Sequence, residues 1–195
     1  MVKSVTIKDE VYGKITLDNR SNIWKVKERV IIPINNKECE VMVEIDIYNS
    51  MYVKHKYELL SKELIEFNKK HPELLKEDYA IECEQDQKNI YQRLIIDNAK
   101  KTAENIEKAA LEKLDEILAD ETEYLIAEVG KEKADKILGA KTKEEKLASL
   151  VLKRMRVFRD RIEITCTCDW FRHSGGFSIN SDGYAVMLSL DSMSI

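Results

Sequence analysis

The sequence predicts an α+β fold: an antiparallel sheet built from an N-terminal meander and a C-terminal hairpin, with a charged multi-helix insert between them. Near both ends, apolar and polar residues alternate with a period of two, which is typical of half-buried strands. In the middle, apolar residues recur at helical spacing and charged residues fill the gaps. The helices follow one another rather than alternating with strands, which argues against a doubly wound sheet.

A single domain is expected over residues 1–195, because this length is near that of one domain and is enough to bury a core. Residues 1–49 should form the β meander, residues 50–153 the helical region and residues 154–195 the β hairpin region. We expect the two β segments to join in one sheet, with the helices on its apolar face. Two small sheets bridged by the helices are the alternative.

The first strands of the meander are predicted from two alternating segments. Residues 13–18 form the first segment, and a cluster of turn-forming residues follows it. The second segment is residues 23–32, in which the apolar residues share one parity. Pro33 and then Asn35-Asn36 should end this strand.

The last strand of the meander, residues 40–47, has the clearest alternation. Its valines and isoleucines point to one face, whereas Glu44 and Asp46 lie on the opposite face. The pattern predicts a half-buried strand on which both carboxylates face water.

The period changes to that of a helix after residue 50. An apolar stripe over residues 57–67 predicts a first helix, which should end just before Pro72. A second helix should start at Pro72 and continue to Leu94. We expect it to break near residues 83–86, where the apolar spacing is poor.

The third helix is predicted from residue 99 to about residue 128. Its apolar face is formed by Ile106, Ala110, Leu114, Ile117, Leu118, Leu125 and Ile126. Gly130 and Gly139 are expected to lie at helix C-termini. The segment from Thr142 to Glu145 resembles a capping box that opens a further helix.

The last forty residues return to strand periodicity. One face of the first predicted strand continues from Ile162 to Cys166, Cys168 and Trp170. A loop at His173 to Gly176 leads to a second strand. The Asp182-Gly183 turn should then close a hairpin, because both residues tolerate positive φ.

Composition narrows the classes of partner. The net charge of −4 provides no field that would hold a polyanion, so nucleic-acid binding is not expected. No apolar stretch is long enough for a signal peptide or a membrane span, which predicts a cytoplasmic protein without membrane contact. All cysteines should then be reduced thiols, namely Cys39, Cys83, Cys166 and Cys168.

Cys166, Cys168 and His173 form the sharpest candidate constellation. Residues i and i+2 of a strand project to the same face, so two thiolates and the imidazole could approach one metal ion. Zinc-binding cysteine pairs more often flank a turn, and no second pair follows. We favour the interpretation that both cysteines extend the apolar face of their strand as small hydrophobic residues. No metal or other cofactor is therefore expected.

Asp169, His173 and Ser174 are the residue types of a catalytic triad, but the nucleophile-elbow context G-x-S-x-G is missing, so we predict no catalytic residues. The basic run that precedes this loop could form an anion-binding strip, although a solvated face is the more usual role. The candidate ligand-binding residues are Arg154, Arg156, Arg159, Arg161, Asp169, Arg172 and His173.

The segment over residues 169–179, which reads DWFRHSGGFSI, resembles the bacterial family of unknown function labelled DUF2262. That family has a late aromatic–Gly-His-Ser segment followed by a strand. The chain departs from it at Arg172, where glycine would be expected, and in its long helical insert. Relatives of such domains often lie near polymorphic toxin or phage-defence genes, so the resemblance implies an immunity or interaction role.

The favoured hypothesis is a non-enzymatic protein-binding factor of bacterial or phage origin, such as an immunity or defence-related protein. It would cover a partner with its sheet face or its acidic helices, since the many charges suit the steering of a protein partner. The alternative is a small-molecule or nucleotide-binding protein that uses the basic run and the loop from Asp169 to His173 to bind an anion. The sequence leaves the oligomeric state and the identity of the partner open.

Overall fold

The computed structural model describes residues 4–18, 23–46, 66, 69–70, 77–139, 142–168 and 175–189. Within them the chain forms a nine-stranded, mostly antiparallel sheet and five helical segments, which confirms the predicted α+β fold. The predicted helix that ends before Pro72 and the loop that holds Asp169, Arg172 and His173 lie outside the described residues.

The strands are β1 (Ser4–Asp9), β2 (Gly13–Asp18), β3 (Trp24–Val26), β4 (Val30–Ile34), β5 (Lys37–Ile45), β6 (Val151–Val157), β7 (Arg161–Thr167), β8 (Gly175–Asn180) and β9 (Ala185–Ser189). The helices are α1 (Glu77–Tyr91), a π-helical turn (Gln92–Ile96), α2 (Ala99–Val129), α3 (Lys131–Gly139) and α4 (Lys143–Ala148). The strand order in the sheet is β1-β2-β3-β5-β6-β7-β8-β9, and β4 also pairs with β5.

The two β segments meet where β5 pairs with β6, as the prediction of a single sheet required. This pair is parallel, with Val43 beside Met155, whereas every other pair among the described strands is antiparallel. A parallel pair needs a crossover connection, and the chain between residues 45 and 151, which contains the described helices, provides it. The antiparallel sheet of the prediction therefore contains one parallel step. β6 also begins at Val151, inside the predicted helical region.

The N-terminal meander is more finely divided than predicted. An additional strand, β1, forms a hairpin with β2, and its apolar side chains are only partly buried, which weakens the sequence signal. Residues 23–32 form two strands rather than one. Pro33 lies within β4 instead of ending it, and the turn into β5 is made by Asn35 and Asn36, whose φ angles are 48° and 59°. Two successive positive φ angles are typical of a tight hairpin turn.

Helix α2 lies between two hairpin turns of the sheet. Asn105 Nδ2 donates to the carbonyl of Gly183 at 2.8 Å, and Glu107 Oε1 accepts from the amide of Asn35 at 2.6 Å. Residues two apart in a helix project about 200° apart, so these bonds leave opposite sides of the helix. Ile106, between them, is fully buried in the core. The sheet therefore holds α2 from both sides.

Most predicted helix signals are confirmed. α2 begins and ends within one residue of the expected positions, Gly130 follows it with a φ of 82°, and both hydrogen bonds of the capping box at Thr142 are present. The expected break near residues 83–86 was wrong, because α1 is continuous there. The apolar spacing is poor there because some buried positions of α1 are occupied by polar residues. Gln87, for example, is buried, and its Nε2 donates to the carbonyl of Val157 at 3.2 Å. The irregular turn comes later, at residues 92–96.

Candidate functional site

The arginines of the predicted anion-binding strip all lie beside carboxylates. On the sheet face opposite the core, Arg156 Nη2 lies 2.8 Å from Asp46 Oδ1, and Arg154 Nη1 lies 3.9 Å from Glu44 Oε2. Both carboxylates are buried, so the face that the alternation predicted to be wet carries a covered charge network. Glu44 of β5 and Asp46, which follows the strand, thus lie against the two arginines of β6.

The other two arginines of the run are paired in the same way. Arg161 Nε lies 2.7 Å from the buried Glu163, and Arg159 Nε lies 2.8 Å from Asp86 on α1. Burial lowers the pKa of Arg161, but the hydrogen bond and charge of Glu163 outweigh it, so the net pKa lies above its usual value. An incoming anion would compete with carboxylates that are already in place. The role of these residues in ligand binding stays a prediction.

Cys166 is buried on the core face of β7, and Cys168 is half-buried just beyond the end of that strand. Burial, followed by the neighbouring Cys168, raises the pKa of the Cys166 thiol to about 12. A thiol with such a pKa is protonated at neutral pH, and the thiolate is the form that binds metals or attacks. No group of three or more His, Cys, Asp or Glu residues is arranged for a metal ion in the described part, which does not include His173.

A groove follows the β8–β9 turn where that turn meets the helices. Three adjoining cavities of about 220, 220 and 240 Å³ form it, and they share residues at their borders. We call it the turn groove. Its central cavity is lined by residues of the π-helical turn, the start of α2 and the hairpin turn, including Arg93, Asn98, Lys101, Asn105, Asp182 and Gly183.

Local hydrogen bonds fix both walls of the turn groove. On the hairpin side, Asn180 Oδ1 accepts from the amides of Asp182 and Tyr184 at 3.0 and 2.9 Å. On the helical side, Thr102 Oγ1 donates to the carbonyl of Leu94 at 2.7 Å, and Asn98 Nδ2 donates to the carbonyl of Arg93 at 2.8 Å. The π-helical turn widens the helix at this point, and such turns are frequent at functional sites.

The two cations of the central cavity, Arg93 and Lys101, differ from the arginines of the basic run, of which Arg159 lines the cavity next to it. Arg93 and Lys101 are exposed, and neither has an ion pair within the residues that the structure describes. α2 begins there without an acidic residue in its first turn, and Asn98 makes no side-chain cap. Neither residue is distinctive in the sequence, because only the fold brings residues 93 and 101 beside residue 182.

A second candidate surface is the helical arm, which we define as residues 115–139: the second half of α2 together with α3. Among the described side chains of α2, the last one in the main core is Leu114. Beyond it, the only described side chains that are buried are Leu125 and Ala134, one on each helix, and neither belongs to the main core. At about 1.5 Å per residue, the α2 part of the arm is roughly 22 Å long.

The helical arm combines acidic charge with exposed apolar side chains. Residues 115–129 contain six acidic residues and no lysine or arginine. Tyr124 is 48% exposed, Ile126 37% and Ile137 50%. The exposure of Ile126 contradicts its predicted place on the buried face of α2, whereas Ile106, Ala110, Leu114 and Leu125 are buried there as expected. The side chains of Ile117 and Leu118 lie outside the description.

No protein-family model, curated protein or solved structure matches the chain. The resemblance of residues 169–179 to DUF2262 therefore stays a prediction. Among the described helices, none has the length together with the apolar character that crossing a bilayer requires.

Proposed function

We propose that the chain is a non-enzymatic protein-binding factor and that the helical arm is the surface that docks on a basic protein partner. The observation that carries the proposal is that this arm is acidic, exposes Tyr124, Ile126 and Ile137, and contributes no described side chain to the main core. Its composition is thus not explained by the packing of the sheet.

The arm has the features that a charge-steered interface needs. A surface of one sign accelerates encounter with a partner of the opposite sign. Aromatic and large aliphatic side chains supply most of the binding energy once they are desolvated, and tyrosine is among the residues enriched at such positions. Tyr124 and Ile126 would be these anchors, and the exposed Glu123 and Glu128 would form part of the polar surroundings.

The biological setting belongs to the same proposal. A bacterial or phage origin, a cytoplasmic location and an immunity or defence role all come from the sequence, chiefly from the resemblance of its late segment. A basic partner is consistent with them, because a factor that neutralises a protein which binds nucleic acid would need to cover a positively charged surface.

Site-specific cross-linking tests the proposal. A photo-reactive residue is placed at Tyr124 in the full chain and, as a matched control, at Tyr184, which is 63% exposed but lies on the β8–β9 turn. The chain is expressed in the cell that encodes it, and cross-linked proteins are identified by mass spectrometry. We expect one protein partner with a basic contact surface to be captured from position 124 and not from position 184.

The purified partner then allows the affinity to be measured. Tyr124→Ala should raise Kd about tenfold or more, as expected for an anchor residue. Glu123→Gln should slow association and weaken its salt dependence. Tyr184→Ala should leave Kd unchanged. Capture from position 184 alone, an unchanged Kd in Tyr124→Ala, or substrate turnover by a chain that stays without a partner would contradict the proposal.

A further inference from the structure

We infer that the central cavity of the turn groove binds the phosphate or carboxylate group of a small molecule, with Arg93 and Lys101 as its cationic contacts. The lining of this cavity includes no residue of the helical arm and no arginine of the basic run, although Arg159 lines the cavity next to it. Four observations support it: the shape of the cavity, the state of its cations, the donors around them and the rigidity of its walls.

The cavity and its cations set the class of ligand. At about 220 Å³ it is smaller than the usual pocket for a drug-sized molecule, so it fits a single charged group better than a whole nucleotide. The four arginines from Arg154 to Arg161 lie beside carboxylates, whereas Arg93 and Lys101 have no ion pair in the described part of the chain. An anion can therefore bind the latter two without displacing a carboxylate of any described residue.

The donors around the cavity suit an oxyanion. The first intrahelical bond of α2 is donated by Thr102 to the carbonyl of Asn98, so the amides of residues 99–101 have no helical acceptor. Lys101 and Thr102 line the cavity at this end of the helix. The partial positive charge of the helix start adds to that of the two side chains, and it favours an anion there.

A substitution of Asp182 tests this assignment by the direction in which it changes anion affinity. It also lines the cavity, so its carboxylate should repel an anion and reduce, without cancelling, the attraction of two cations. Asp182 is exposed, and the hydrogen bond that its amide donates to Asn180 does not involve its side chain. Asp182→Asn should therefore preserve the turn and strengthen anion binding.

Titration with inorganic phosphate and, separately, with succinate tests the inference. Binding to the full chain is followed by amide chemical shifts at low ionic strength, with sodium chloride of matched ionic strength as the blank. We expect the shifts to concentrate at residues 93–102 and 181–183. Binding of phosphate alone, of succinate alone or of both supports an oxyanion site.

Variants distinguish binding at this specific site from nonspecific electrostatic attraction to the protein surface. Arg93→Gln and Lys101→Gln should each raise Kd about tenfold, as expected for the loss of one charged contact. Lys100→Gln is the matched control, because it removes the same charge from the neighbouring residue, which does not line the cavity. All these positions are exposed, so the thermal midpoints should stay close to that of the unmodified chain. Equal weakening by Lys100→Gln and Lys101→Gln, or no binding of either anion below about 10 mM, would overturn the inference.

Discussion

Replacing Lys88 by methionine should destabilise the fold by removing the cation that joins the β1–β2 turn to α1. Lys88 Nζ lies 2.7 Å from Asp9 Oδ2 and 2.6 Å from Glu84 Oε1. The side chains of Lys88, Asp9 and Glu84 are 19%, 3% and 11% exposed. Methionine keeps most of the apolar stem, but it leaves two buried carboxylates without the ammonium between them. The loss of one member of a buried ion pair costs about 3–5 kcal/mol.

Two features of the site set the expected magnitude near the lower end of that range. Asp9 Oδ1 would still accept hydrogen bonds from the amides of Val11 and Tyr12, at 2.8 and 2.9 Å, which stabilise its charge. Lys88 is also partly exposed, so water already screens part of its attraction. We therefore expect Lys88→Met to lower the free energy of unfolding by about 3 kcal/mol at pH 7.

The effect should depend on pH in a defined direction. Burial raises the pKa of Asp9, but the hydrogen bonds from Lys88 and from the amides of Tyr12 and Val11 outweigh it, so the net pKa lies below 3.8. The stability that Asp9 contributes is present above its unfolded pKa and is lost as pH falls through its folded value. Without Lys88 the folded pKa of Asp9 rises, so the stability difference between variant and unmodified chain should shrink as pH falls below 4 and through the folded pKa of Asp9 in the unmodified chain.

At alkaline pH the stability that Lys88 contributes is lost as pH rises. Burial lowers the pKa of Lys88, but its hydrogen bonds to Asp9 and Glu84 outweigh it, so the net pKa lies above 10.5. Its contribution is complete below pH 10.5 and is lost as pH rises through the folded pKa. The variant lacks this alkaline loss.

Urea unfolding followed by far-UV circular dichroism measures the difference. Lys108→Met is the matched control, because Lys108 and Glu112 are also an i,i+4 pair, but 3.7 Å apart and 75% and 56% exposed. That substitution should change the free energy of unfolding by less than about 0.5 kcal/mol. If Lys88→Met costs less than about 1 kcal/mol, or no more than Lys108→Met, the buried bridge is not the stabilising contact that its geometry indicates.

Two further predictions concern the hairpin turn and the core of the sheet. Gly183 has a φ of 86°, so Gly183→Ala should cost about 1 kcal/mol of unfolding free energy through backbone strain alone, since the nearest atom to the added Cβ, Leu94 Cδ2, would lie at an ordinary 3.5 Å. Gly139→Ala, in open space without a positive φ, should be neutral or stabilising, and equal losses in thermal unfolding of the two variants would contradict the strain argument. Cys166 should resist iodoacetamide at pH 8 until the chain is unfolded in urea, because a pKa of about 12 leaves roughly one thiol in ten thousand ionised. Rapid modification of Cys166 in the native protein, detected by peptide mass spectrometry, would restore the metal or redox interpretation of this residue.

Local sequence signals were sufficient for many elements. The apolar spacing of α2, the place of Gly130 at its C-terminus and the capping box at Thr142 each depend on residues within one or two turns of each other. The alternation in β5 likewise identified its core face, where Val41, Val43 and Ile45 are fully buried. These signals are visible in the sequence because the interacting residues are neighbours in it.

The two candidate surfaces, the helical arm and the turn groove, could not be predicted from local signals alone. The acidic composition of the helical arm is visible in the sequence, but the exposure of Ile126 is not, because a periodic pattern alone does not show where the sheet ends beneath a long helix. In the turn groove, Arg93 and Lys101 resemble ordinary surface cations until the fold places the β8–β9 turn beside them.

Periodicity and the conformational limits of single residues were sufficient to predict the α+β class, both ends of α2 and the core face of β5, because these features depend on residues that are close together in sequence. Three features are visible only in the folded chain. β5 and β6 pair in parallel, Glu44 and Asp46 are buried beside arginines of β6, and α2 lies between two turns that are distant in sequence. These features could not be predicted because the residues that form them are far apart in sequence. Asp46 and Arg156 are 110 residues apart, and no local pattern records which charges will neutralise each other once the chain has folded.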